Sequence, residues 1–276
     1  MIITVDTGGT KTLVANFLED GTIEQSIKFP TPNNQNEYTS QLLNTVTSQF
    51  GNKPADAIVV AAPGIIEDGV IIQSPNHLSW MKGFDIANSL KKSLGNIPID
   101  VKNDANLGGI GAVRMLDSKP RLAIYIAIGT GIGSGIIING NIDPNFSRSE
   151  IGHMFVEFNG TSQKWERFAA GSAIFRDFGK YARDITDQNT WDEIADRISR
   201  GFTAFIPALQ PDITIVGGGI GAHFDKYKDR LRTIIEEKLA PFITCPEIVQ
   251  AQHTEEIVIY GCYYHARDIL ACQTIS

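Results

Sequence analysis

The sequence predicts an α/β protein built from two similar halves, on three observations. Strand-like apolar runs alternate with segments of helical period along the chain. A strand, a Gly/Thr-rich turn, a second strand and a tight turn run from Ile2 to Gly21, and the same plan returns from Arg121 to Gly140. Between the copies, Val101-Lys102-Asn103-Asp104-Ala105-Asn106 passes from strand to helix. That places Asp104 at a strand's carboxyl end, where open α/β sheets hold their chemistry.

The first half opens with a strand, Ile2-Ile3-Thr4-Val5, that leads into Asp6-Thr7-Gly8-Gly9-Thr10-Lys11-Thr12. Leu13 to Leu18 reads as a second strand, Asp20-Gly21 as a turn and Thr22 to Phe29 as a third strand. Adjacent glycines permit positive φ and close ligand approach, so the first turn fits an anion nest, with threonine hydroxyls as added donors; it also fits a tight hairpin with no ligand. It is neither a Walker loop nor a dinucleotide fingerprint. Asp6, at its mouth, suits Mg²⁺ held through water. Pro30 to Asn36 is a polar linker, and Glu37 to Phe50 has Leu42, Leu43, Val46 and Phe50 at helical spacing. Asp56 to Ala62 is a buried strand broken at Pro63-Gly64.

A hairpin through Ile65-Ile66 and Val70-Ile71-Ile72 ends in Pro75-Asn76-His77-Leu78-Ser79-Trp80. An amide, an imidazole and a flat aromatic there suit a sugar, and equally a rigid surface loop. Phe84 to Leu94 is an amphipathic helix, Pro98 to Val101 a strand, and Ala105 to Val113 the start of a helix. Asp104 between them fits three uses: proton acceptor, metal ligand or helix cap.

In the second half, Arg121 to Ile128 is a strand, Gly129-Thr130-Gly131-Ile132-Gly133-Ser134-Gly135 a glycine turn, Ile136 to Ile138 a strand, and Asn139-Gly140 a type I′ signal. Two Gly/Thr turns of one plan in one chain point to phosphate binding. A polar run from Asn145 to Ser149 reaches Glu150-Ile151-Gly152-His153-Met154, and Ser162 to Tyr181 reads as a helix. Trp191 to Leu209 is a long helix with a core stripe. Asp212 to Val216 is a strand ending in Gly217-Gly218-Gly219, a flat backbone surface for a base or ribose. A helix from about 222 to 239, a strand at 247–252 and a last helix near 255–271 follow; the basic run Lys226 to Arg232 reads as a solvated helix face.

Composition narrows the function. At 276 residues, 42% hydrophobic and 20% charged, the chain can bury one large core or two smaller ones. A net charge of −7 disfavours a nucleic-acid or anionic-membrane surface. No apolar run approaches the roughly 20 residues of a membrane span, and Met1 enters a strand without a leader's basic start, so a cytoplasmic protein with small-molecule partners is expected. Cys245, Cys262 and Cys272 lack metal or redox spacing and read as reduced thiols.

Asp6-Thr7-Gly8-Gly9-Thr10-Lys11, Ala62-Pro63-Gly64, Pro75-Asn76, Asn103-Asp104-Ala105-Asn106, Gly129-Thr130-Gly131-Ile132-Gly133, Glu150-Ile151-Gly152-His153 and Gly217-Gly218-Gly219 span nearly the whole chain. In order and approximate spacing they resemble the ROK family (repressor, open reading frame, kinase) of bacterial sugar kinases. The resemblance implies a two-domain actin-like, hexokinase-type fold, a duplicated ribonuclease H-like plan with an interdomain cleft. Residues 1–108 with a C-terminal helix at about 255–276 would form one domain and 109–254 the other. It implies transfer of the terminal phosphoryl group of ATP, with Mg²⁺, to a hexose hydroxyl, usually the 6-hydroxyl of glucose or a relative. Asp104 is then the general base, with Asn76 and Asn103 on neighbouring hydroxyls and Glu150 and His153 across the ring. Gly8, Gly9, Thr10, Lys11 and Thr12, with Gly129, Thr130, Gly131 and Gly133, would serve the phosphates, Asp6 the Mg²⁺, and Gly217, Gly218 and Gly219 the adenosine. Relatives are often dimers, which leaves a homodimer open.

Departures from the family's pattern, and one match beyond it, refine the resemblance. Many members carry a cysteine cluster that holds zinc with the histidine, but Val156 to Lys164 contains no cysteine, so no zinc site is expected and His153 needs another orienting partner. The family's later sugar-binding glutamate is matched by Glu166 in Trp165-Glu166-Arg167-Phe168-Ala169-Ala170-Gly171-Ser172. The short form, with Asp143-Pro144-Asn145 and with Trp191-Asp192 opening a helix, is similar to polyphosphate-using glucokinases, which sets polyphosphate beside ATP as donor. Gly261-Cys262-Tyr263-Tyr264 replaces smaller residues and implies a narrower nucleotide-pocket floor. The family's repressors carry an added N-terminal helix-turn-helix domain, whereas this chain starts in a strand and has both Asp6 and Asp104, so a kinase is expected over a silent sugar-binding regulator.

Overall fold

The computed structural model describes residues 1–50 and 54–275; Ser276, the end of the expected C-terminal segment, lies outside them. The chain divides into two compact units, Met1–Arg114 with Val258–Ser276, and Met115–Ile257. The expected boundary at residue 108 would have cut a continuous helix, and the chain leaves the first unit only at that helix's end.

In the first unit β1 (Ile2–Thr7), β2 (Lys11–Phe17) and β3 (Ile23–Pro30) form the expected meander. Helix α1 (Gln35–Asn44) is capped by Asn34, whose Oδ1 accepts from Glu37 N at 2.9 Å. Strand β4 (Ala57–Ala62), all buried, precedes the short strands β5 (Ile65–Glu67), β6 (Val70–Gln73) and β7 (Phe84–Asp85). Asp85 caps α2 (Ile86–Leu94) through Asn88 N, so the helix starts two residues later than its periodicity suggests. Then come β8 (Ile99–Asn103) and α3 (Asp104–Arg114). The sheet order is β3-β2-β1-β4-β8, with β1, β4 and β8 parallel. Ile3, Val5, Val14, Ile58, Val60 and Val101 pack with Tyr38, Leu42 and Leu90 of the first two helices.

The second unit repeats this order. Strands β9 (Leu122–Ile128), β10 (Ile132–Ile138) and β11 (Asn141–Ile142) pair antiparallel. Asn139 and Gly140 both have positive φ, the type I′ geometry their sequence calls for. The expected helix over 162–181 is instead a hairpin, β12 (Phe155–Phe158) and β13 (Thr161–Lys164), followed by α4 (Glu166–Ala169) and α5 (Gly171–Phe178). Asn159-Gly160, at φ 53° and 74°, makes that hairpin, and the extended backbone of Ala170 separates the helices. Helix α6 (Gln188–Leu209) opens ahead of Trp191 because Asp187 caps it on Thr190 N. Strand β14 (Ile213–Gly217) leads to α7 (Gly218–Gly221), α8 (Lys228–Lys238) and β15 (Glu247–Gln250). The single helix expected from 222 to 239 is thus broken into short turns before α8. The sheet order β11-β10-β9-β14-β15 matches the first sheet strand for strand, as the internal echo predicts. Its core gathers Trp165, Trp191, Ile198, Phe202 and Phe205.

Helix α9 (Ile257–Ile275) carries the chain back into the first unit. His265 Nε2 lies 2.7 Å from Asp100 of β8, and a Cβ on Gly261 would fall 1.8 Å from Leu107 O of α3. Tyr263 stacks on Phe17 at 4.8 Å and reaches Glu19 O. Phe17 pairs with Ile2, which places Tyr263 at the end of the sheet away from the Gly8-Gly9 turn. No helix among the described residues is long and apolar enough to cross a membrane.

Candidate active site

Asp6 ends the buried run of β1, and the turn after it is braced by residues that its own sequence does not reveal. Gly8 N–H donates to Lys11 O at 3.0 Å. Thr31 Oγ1 donates to Gly8 O at 2.8 Å and its N–H to Thr10 O, which makes the Thr12 hydroxyl the donor in its 3.0 Å bond to Thr31 Oγ1. The buried Thr7 hydroxyl pairs with Tyr38 Oη at 2.5 Å. Of the expected phosphate donors, the Gly8 amide and the Thr12 hydroxyl are therefore spent on the turn, and Gly9, Thr10 and Lys11 stand exposed. His77 lies against this tip, since a Cβ on Gly9 would meet its Nε2 at 2.3 Å. Burial pushes the Asp6 carboxyl up to about 6, with Lys28 opposing.

At the carboxyl end of β8, Asn103 takes the cap of α3: its Oδ1 accepts from Asn106 N at 3.0 Å while Nδ2 donates to Gly64 O at 3.0 Å. Gly64 permits that approach, having φ 104° and no room for a Cβ beside Gln73 O. Asp104 becomes the first helical residue, half-buried, with Oδ1 accepting from Ala105 N at 2.8 Å. The capping duty that is the commonest use of such an Asp falls to its neighbour. Asn76 opens the 3₁₀ turn Asn76–Met81 and is exposed.

In the second unit, Gly129 N–H donates to Gly131 O, Gly171 N–H to Gly129 O and Ser172 Oγ to Thr130 O. Ile132 to Gly135 belong to β10, with Gly133 paired to Ala127, so the glycine turn is shorter than its sequence suggests and Thr130 and Gly131 form its tip. Gly152 sits where a Cβ would fall 2.0 Å from Ile132 O, and Ile151 N–H bonds Ser134 Oγ at 3.1 Å, which seats Glu150 to His153 on the start of β10. His153 Nε2 lies 3.0 Å from Glu166 Oε1, a carboxylate partner that orients the imidazole. Glu166 Oε2 falls 3.1 Å from where a Cβ on Gly131 would stand. Burial raises the Glu150 carboxyl above its ordinary range, opposed by His153 and reinforced by Glu166. Glu150, His153, Glu166 and the Thr130-Gly131 tip are thereby one cluster. Of the three glycines at the carboxyl end of β14, Gly217 closes the strand, buried under Tyr125, and Gly218 crosses the Ile128 backbone at φ 77°, while Gly219 is exposed and open.

Among the described residues no three His, Cys, Asp or Glu side chains gather to hold a metal ion. A lone carboxylate such as Asp6 beside a phosphate-sized turn still fits Mg²⁺, which keeps several waters and takes one or two carboxylates plus phosphate oxygens.

The ROK family model matches residues 2–269. The chain belongs to the ROK family. This ROK chain is 29% identical over 259 residues to a fructokinase of Pediococcus pentosaceus, covering 87% of this chain and 85% of the relative. An inorganic polyphosphate/ATP-glucomannokinase from Arthrobacter sp. strain KM has a TM-score of 0.75 at 27% identity, over 97% of this chain and 98% of the other. A ROK glucokinase from Streptomyces griseus, solved with glucose and AMPPNP, shares the fold at a TM-score of 0.82 and 22% identity, over 97% and 99%. The expected family and its actin-like, hexokinase-type architecture are both met.

Proposed function

We propose that this ROK protein transfers the terminal phosphoryl group of ATP to a hydroxyl of a hexose, the 6-hydroxyl of glucose or a relative, with Asp104 as general base. The observation that carries the reading is the division of labour at the start of α3, where Asn103 caps the helix and Asp104 presents its carboxylate at the strand's end. Asp104 accepts the hydroxyl proton as the sugar oxygen attacks phosphorus, and the donor's bridging oxygen leaves in line. Glu150, His153 and Glu166, with Asn76, recognise sugar hydroxyls. The exposed Gly9, Thr10 and Lys11, with Thr130 and Gly131, offer donors to phosphate oxygens, and Gly218 and Gly219 face the adenosine. Mg²⁺, when bound near Asp6, neutralises phosphate charge.

A second donor, polyphosphate, is favoured by the 27% identity over nearly the full chain to the polyphosphate/ATP-glucomannokinase. The fructokinase likeness brings fructose beside glucose and mannose as an acceptor. The deciding experiment is phosphorylation of glucose, mannose, fructose, N-acetylglucosamine and N-acetylmannosamine with ATP, GTP and polyphosphate supplied separately. Turnover of one sugar with ATP supports the reading, and turnover with polyphosphate alone moves the donor assignment. Calorimetric sugar binding without turnover by any donor overturns it in favour of a silent sensor.

Two further outcomes are expected. Glu166→Ala raises the hexose KM by about tenfold or more, the loss of a charged hydrogen bond to a sugar hydroxyl, and an unchanged KM removes Glu166 from the site. For Asp6, the folded state holds its proton up to about pH 6 whereas the ordinary value is 3.8. Between these values the folded chain binds more protons than the unfolded one, so this group's contribution to stability falls as pH rises through the window and is level above it. In Mg²⁺-free melts the Tm of the parent chain relative to Asp6→Asn therefore declines from about pH 4 to about pH 6. A difference independent of pH would refute the raised carboxyl. Mg²⁺, which requires the ionised form, binds the parent more tightly as pH climbs through the same range.

A further inference from the structure

Arg197 is an arginine in the middle of a buried helix face, only 5% exposed, and the proposed chemistry has no use for it. Four of its five N–H donors are hydrogen-bonded, Nε donating to Glu193 Oε1 at 3.2 Å. Nη1 donates to Asp177 Oδ2 at 2.7 Å and to Phe168 O at 3.1 Å, and Nη2 donates to Glu193 Oε1 at 2.6 Å. The plane is flanked by the rings of Phe178 at 4.8 Å and Phe158 at 5.3 Å. Arg197 also receives at its own carbonyl, which accepts from Trp165 Nε1 at 3.2 Å.

These contacts converge on one short stretch. Trp165 and Phe168 flank Glu166 on α4, a helix of four residues that cannot hold itself in place. The Trp165 ring lies over Gly201 of α6, where a Cβ would come within 2.2 Å, and Phe168 stacks flat on Phe158 of β12 at 4.3 Å and 2°. The segment that carries Glu166 is thus gripped from both sides by one residue of α6, through its carbonyl before the glutamate and its guanidinium after it. Asp177, the other end of that grip, is held in turn by Arg176 Nε at 2.7 Å, and Arg176 Nη2 donates to Arg167 O at 3.0 Å.

We propose that Arg197 is a positioning residue for sugar recognition, fixing α4 so that Glu166 meets both His153 and the Gly131 tip. The proposal rests on Glu166 contacting the sugar. A buried arginine that donates to three partners between two rings is chosen over lysine because an ammonium is a point donor that cannot serve Asp177, Phe168 O and Glu193 in one plane. Displacing α4 by about 1 Å is enough to weaken a hydrogen bond of fixed geometry severely.

The test is a double-mutant cycle on hexose KM, donor KM and kcat with Arg197→Lys, Glu166→Ala and the pair, each shown to be folded by its melt. Arg197→Lys raises hexose KM by about tenfold and leaves donor KM within about twofold, and adding it to Glu166→Ala produces no further rise, because its effect runs through the carboxylate already removed. If Arg197→Lys fails to fold, Trp165→Phe, which removes the bond to the Arg197 carbonyl together with part of the ring packed over Gly201, is expected to raise hexose KM in the same non-additive way. Effects that multiply, equal rises in both KM values, or a lowered Tm with hexose KM unchanged overturn the positioning role. A Glu166→Ala enzyme with ordinary hexose KM overturns instead the sugar contact on which it rests.

Discussion

Asp104→Asn is expected to lower turnover by about 10²–10⁴-fold while hexose binding, followed by calorimetry, stays within a few fold. The amide keeps an oxygen to accept from Ala105 N, as Asp104 Oδ1 does at 2.8 Å, so the start of α3 is preserved. What the amide cannot do is take a proton from the attacking hydroxyl. The cap is untouched as well, since Asn103 carries it. A variant with normal turnover would refute the base, and a variant that loses sugar binding in step with turnover would show the carboxylate to be a binding group. Asn103→Ala is the structural counterpart: it costs about 1 kcal/mol of helix capping and frees the Gly64 carbonyl, lowering turnover through the backbone that presents Asp104.

The second large effect is expected at Gly152. A methyl group there would stand 2.0 Å from Ile132 O and 2.9 Å from Ile132 C, and backbone at the start of a central strand cannot move aside cheaply. Gly152→Ala should cost about 3 kcal/mol or more and push the Glu150–His153 turn off β10, separating His153 from Glu166. Tm falls by several degrees, and hexose KM rises well beyond the effect on donor KM. Gly219→Ala makes the same chemical change where nothing lies within 4 Å, and its Tm should be unaffected. Equal effects at the two positions would mean that lost backbone freedom, and not the close approach of the Ile132 carbonyl, accounts for the glycine.

The contrast between those two glycines also marks how far the chain could be read unaided. Both belong to glycine motifs, and the letters do not distinguish a glycine pressed against backbone from one lying open. The two Gly/Thr turns were legible as turns, because glycine, threonine and flanking β-branched runs constrain the backbone locally. Which donors remain at their tips was not, because Thr31 reaches Gly8 O from 23 residues away. The hairpin at β12 and β13 carried a readable signal in Asn159-Gly160, overridden by the helical period of the residues after it. Thr31, Tyr38 and Arg197 had no signal at all, each an ordinary residue of a linker or helix until the fold gives it a partner, and His77 stood in a segment suited to a sugar with nothing to show that it lies against Gly9.

The sequence by itself determined the duplicated α/β plan, the order of both sheets' opening strands and the ROK relationship, and it supplied the residues proposed to carry the chemistry, since local φ/ψ preference, hydrophobic period and turn chemistry all act within a few neighbouring residues. Only the tertiary structure decided that Asn103 caps α3 so that Asp104 need not, that His153 is oriented by Glu166 at 3.0 Å, and that the residues flanking Glu166 are bonded to an arginine 31 positions after it. Each of these is a hydrogen bond or close contact whose partner is selected by packing, and hydrogen-bonding groups of one kind are interchangeable until a buried core brings one particular pair within 3 Å.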